Sequence, residues 1–72
     1  MTVECHRTDY EAMSDLDLIK AASVAFRIAR RSFGRDAIYD YDLYSLICDV
    51  ARRRGLGAAL DEAVKALAKE PR

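Results

Sequence analysis

The sequence has no tryptophan, one proline, three glycines, two cysteines and one histidine. Neither sign of charge is in excess, with 12 Lys+Arg against 12 Asp+Glu. Each shortage excludes something. Two cysteines are too few for a disulfide scaffold. No apolar run reaches the roughly 18 residues that span a bilayer. Residues 1–10 are polar and acidic, unlike a signal peptide. The expectation is a soluble cytoplasmic protein with reduced thiols. The 72 residues fit one domain at most, since typical domains run to about 100–150. Ordering a chain costs about 1.5 kcal/mol per residue, which so small a core offsets only narrowly. That weighs against an enzyme with a deep pocket and makes self-association an early expectation. The hydrophobic content, 51%, argues against disorder.

The zero net charge conceals segregated blocks. Residues 1–17 carry five acids and one base. Residues 18–35 carry Lys20, Arg27, Arg30, Arg31 and Arg35 and no acid. Residues 36–49 carry Asp36, Asp40, Asp42 and Asp49, and Arg52, Arg53 and Arg54 follow.

The pattern is all-α. A first long helix is expected from about Asp15 to Phe33. Ser14 suits its N-cap, because a hydroxyl there accepts from an unpaired amide of the first turn. Met13 and Leu18 fit a hydrophobic staple across that cap. Asp15 and Asp17 lie at the positive end of the helix dipole, Arg30 and Arg31 at the negative end. Gly34 suits the closing left-handed position. Ile19, Ala22, Phe26, Ala29 and Phe33 recur at heptad-like spacing and predict a seam for the core or a dimer. Leu18, Ala21, Ala25 and Ile28 form a second apolar row. Lys20, Arg27 and Arg31 take the opposite side, with Val24 among them.

A second long helix is expected to end at Arg54, capped by Asp40 or Asp36 and preceded by a connection over Gly34–Tyr39. A shorter third helix follows Gly55-Leu56-Gly57, from Ala58 to Glu70, with Pro71 ending it. The domain reading is a flexible N-terminal arm over 1–13 and one helical domain over 14–70. Its core is expected to hold Ile19, Phe26, Phe33, Ile47, Val50, Leu60, Val64 and Leu67. The architecture is a helical hairpin or three-helix unit, paired into a dimeric bundle because the first helix has more apolar surface than its neighbours cover.

Chemistry finds few footholds. A structural zinc wants four Cys or His ligands, and only Cys5, His6 and Cys48 are present. No metal or other cofactor is expected. The lone His6 lies in the arm, away from any rigid pocket that nucleophilic catalysis needs. Asp40 and Asp42 read as helix-start charges. Gly55-Leu56-Gly57 lacks the strand that a phosphate loop requires. No catalytic residue is expected.

Two surfaces remain. Arg27, Arg30, Arg31 and Arg35, with the run Arg52, Arg53 and Arg54, compose a basic set for nucleic acid, and the last two helices could pass for a helix-turn-helix. The third helix, however, is short of the Arg, Asn and Gln that read base edges. The other surface is Tyr39, Asp40, Tyr41, Asp42 and Tyr44. One helical face cannot bury all three tyrosines, and exposed tyrosine is enriched at interface hot spots. The leading expectation is therefore a non-enzymatic protein-binding modulator, and the alternative is a small DNA-binding regulator.

A capped helix over Ser14–Phe33, an acidic tyrosine-rich stretch over Ile38–Tyr44 and a helix ending Arg52-Arg53-Arg54-Gly55 resemble small helical host-takeover proteins of phages. In particular the chain is similar to the phage quorum-sensing anti-activators, which bind LuxR-type transcription regulators and block DNA binding. The resemblance is one of size and pattern over residues 14–55. It implies a dimeric helical inhibitor of a host regulator, with Tyr39 and its acidic neighbours meeting a basic surface of the target.

Overall fold

The structure is a computed structural model that describes residues 3–69. It is all-α, with no strand among the described residues. A single 3-10 turn, Val3–His6, leads into α1 (Arg7–Glu11). Then come α2 (Asp15–Arg31), α3 (Gly34–Arg53) and α4 (Gly57–Ala68). The helices α2 and α3 form the main pair, α4 lies against both, and the N-terminal turns dock on α3.

The start of α2 follows its sequence. The Ser14 hydroxyl accepts from the Asp17 amide at 3.2 Å, and Met13 and Leu18 both join the core cluster. The helix stops at Arg31, two residues before the expected end, and Ser32 is its C-cap. Gly34 does take the left-handed conformation, with φ +62°, but as the first residue of α3. The link between the two long helices is therefore Ser32 and Phe33 alone, and the connection expected over Gly34–Tyr39 is helical instead.

Neither Asp36 nor Asp40 caps α3. Phe33 holds the N-cap position without a side-chain hydrogen bond. The Asp40 carboxylate instead reaches back to the Ser32 hydroxyl. That hydroxyl also lies 2.9 Å from the Ile28 carbonyl, and its one proton serves either acceptor.

The end of α3 is a Schellman turn. Gly55, at φ +83°, donates to the Arg52 carbonyl at 3.0 Å, and Leu56 donates to the Ala51 carbonyl at 3.0 Å. Leu56 then packs against the core cluster, the apolar contact that goes with such a turn. The last helix begins at Gly57, so Asp61 and Glu62 fall in its second turn. Glu70 and Pro71, expected at its end, lie outside the described residues, as do Met1 and Thr2 of the expected arm. The rest of that arm is largely helical and docked.

The core is a cluster of Leu18, Ala22, Ala25, Ile47, Cys48, Val50, Ala51 and Leu60. Leu18, Ile47 and Leu60 are fully buried, each contributing about 1.5–3 kcal/mol. On α2 the buried stripe is Leu18, Ala22, Ala25 and Ala29, which runs between the two apolar rows read in the sequence. Three alanines let α3 approach closely. Ala22 and Ala29 of the expected seam are thus in the core, while Ile19 and Phe26 flank it half-buried. Phe33 is the correction: it is 88% exposed and takes no part in the core. Its backbone is extended between two helices, which breaks the heptad continuation that predicted its burial.

Candidate protein-binding surface

The first turns of α3 carry the tyrosine-rich stretch, and the structure divides it. Tyr44 turns inward and meets the Phe26 ring at 5.4 Å between centroids. Arg30 lies over the other partner, 5.4 Å from the Phe26 centroid, a cation–π arrangement. Burial pushes the Tyr44 phenol up to about 12, and a hydrogen bond to Cys48 adds to the rise. Burial likewise raises the Cys48 thiol.

Tyr39 leaves on another side. Its hydroxyl is 3.2 Å from His6 Nε2, which fastens the 3-10 turn to α3. The adjacent anchor is Arg7, which donates to Asp49 at 2.9 Å and to Glu4 at 2.7 Å. The guanidinium holds both carboxyls below the usual carboxylate range. Asp40 is occupied by Ser32.

What remains outward is Ile38 at 66% exposure and Tyr41 at 46%, with Asp42 beside them. Positions 38, 41 and 42 adjoin on one helical face. Phe33 stands exposed at the same end of α3, as do Arg35 and Asp36. The expected five-residue patch is thus not one surface. Tyr41 and Asp42 stay together on it, Tyr39 keeps a partly exposed ring, and Asp40 and Tyr44 serve the fold. Ile38 and Phe33 were missed. The signal for Ile38 was available, since it stands one turn before Tyr41 and Asp42.

The basic set is divided as well. Arg30 donates to the Leu67 carbonyl at 2.9 Å and ties α2 to α4. Arg53 pairs with Asp49 at 3.1 Å, and Arg52 lies 3.9 Å from Asp61. Arg54 turns inward to the Met13 carbonyl at 2.6 Å and Asp15 at 3.2 Å, and also meets the Glu11 carbonyl. Arg30, Arg52, Arg53 and Arg54 are therefore engaged within the chain. Arg27, Arg31 and Arg35 are exposed on α2 and at the start of α3. At the α3–α4 corner, α4 buries Leu60 and Leu67 and shows Asp61, Glu62 and Lys65 outward.

Among the described residues no group of three His, Cys, Asp or Glu is placed to hold a metal. Cys5 is exposed and Cys48 buried, and they form no disulfide. No helix among the described residues is long and apolar enough to cross a membrane. An open apolar groove of about 430 Å³ runs beside α2, lined by Tyr10, Met13, Val24, Ile28, Leu43 and Ile47. No family model, curated protein or solved structure matches the chain.

Proposed function

We propose that this chain is a small non-enzymatic module that binds another protein and modulates it, as an anti-activator of a LuxR-type transcription regulator does. The observation that carries the reading is the solvent-facing pair Ile38 and Tyr41 beside Asp42 on one face of α3, with Phe33 exposed at the same end of that helix. Large apolar groups with an acid beside them on a helix suit a partner surface that is apolar at its centre and basic at its edge. The split of the arginines leaves the nucleic-acid reading with the weaker support.

The test titrates the purified protein against a LuxR-type regulator bound to its operator duplex. Release of the duplex is the expected result. The double variant Ile38→Ser, Tyr41→Ala removes two apolar anchors and should need at least about tenfold more protein for the same release. A duplex that stays bound at every concentration overturns the anti-activator reading. Equal potency of a folded double variant overturns the assignment of the surface.

A further inference from the structure

Along α2, Asp17, Ala21, Val24, Ile28 and Arg31 recur at alternating steps of four and three. Such a row stays in line along a helix and can meet another helix lengthwise. It occupies the flank of α2 left uncovered by α3 and α4. The opposite flank presents Phe26 to Tyr44 and Arg30 to Leu67. Val24 is 55% and Ile28 50% exposed. Both border the open apolar groove, where Leu43, Ile47, Tyr10 and Met13 add further apolar surface. The ends of the row bear opposite charges, and neither Asp17 nor Arg31 has a charge partner among the described residues.

We infer that this groove and row receive a second copy of the chain, with the two α2 helices antiparallel. A pair centred on Val24 sets Asp17 against the partner's Arg31, Ala21 against the partner's Ile28, and Val24 against the partner's Val24. A two-fold axis makes each unlike contact twice. A parallel pair would instead bring Asp17 to the partner's Asp17 and Arg31 to the partner's Arg31. The row is thus complementary to itself in one direction only, which an unrelated apolar helix would not match at its charged ends.

The molecule is a slab, 31 × 30 × 14 Å. Of the seam expected for the core or a dimer, Ala22 and Ala29 are buried within one chain and Phe26 meets Tyr44 of α3, so the pairing moves to the other flank. The inference is independent of the anti-activator reading, because Leu43 and Ile47 face opposite to Ile38 and Tyr41 on α3.

Sedimentation equilibrium of the whole chain over the micromolar range tests it. The expected mass is twice 8.1 kDa. Val24→Asp should give the single-chain mass with unchanged helical circular dichroism. Asp17→Arg and Arg31→Asp should each weaken self-association by about tenfold, and the two together should restore it. A single-chain mass for the native protein at every concentration overturns the proposal. So does a dimer that survives Val24→Asp, or a double charge exchange no tighter than either single one. Should Val24→Asp fail to fold, the exposed charge exchanges decide the matter.

Discussion

The Arg54 guanidinium, at the end of α3, donates to the backbone carbonyl of Met13 at 2.6 Å. The same group meets the Glu11 carbonyl and the Asp15 carboxylate. It therefore satisfies the frayed carbonyls between α1 and α2 that no helix serves. The planar fork is what spans them, and an ammonium cannot repeat it.

Removing that fork should be costly. Arg54→Ala strands charge-assisted hydrogen bonds worth about 2 kcal/mol together, and Arg54→Lys should recover less than half of that. Urea unfolding followed by circular dichroism measures both. Stability equal to the native chain in Arg54→Ala would show the contact to be idle.

The two halves of the expected core list should separate under mutation. Leu18→Ala opens a cavity at a fully buried site and should cost about 2–5 kcal/mol. Phe33→Ala touches an exposed ring and should stay within about 0.5 kcal/mol. Thermal melts at one dilute protein concentration discriminate the pair. A large loss from Phe33→Ala would return that ring to the core.

Alkali should destabilise the fold before acid does. Burial keeps the protons on Cys48 and Tyr44 more tightly in the folded chain than in the unfolded one. Their contribution is intact below the ordinary thiol value of 9.0. It is lost as pH rises toward the Tyr44 value of about 12. On the acid side, Arg7 lowers Glu4 and Asp49, so their contribution persists at neutral pH and is lost as pH falls below about 4. Melting temperatures across pH 3 to 11 should fall at both ends. Cys48→Ala should flatten part of the alkaline decline.

The helices were legible because their signals are local. Ser14, Met13 and Leu18 announced the start of α2, and Gly55 announced the end of α3, since caps depend on neighbours in sequence. Phe33 was misread for a related reason. A heptad rule continues until something breaks it, and the break was the two-residue link, which only the packing of α2 on α3 determines. Asp40 and Tyr39 were legible as residues but not in role. Ser32 and His6, their partners, lie 8 and 33 positions away. The arginine run read as one cluster in the sequence, yet three successive helical positions point three ways.

The two-residue link also orders events in time. With Ser32 and Phe33 as the only spacer, α2 and α3 close on each other at almost no loop entropy, a topology that folds in microseconds to milliseconds. The N-terminal turns have no such advantage. Arg7 meets Asp49 across 42 residues, and Arg54 meets Met13 across 41. Those contacts should form after the hairpin exists to receive them. The turns Val3–His6 and Arg7–Glu11 are accordingly expected to assemble last and their amides to exchange first with solvent, which native-state hydrogen exchange reads.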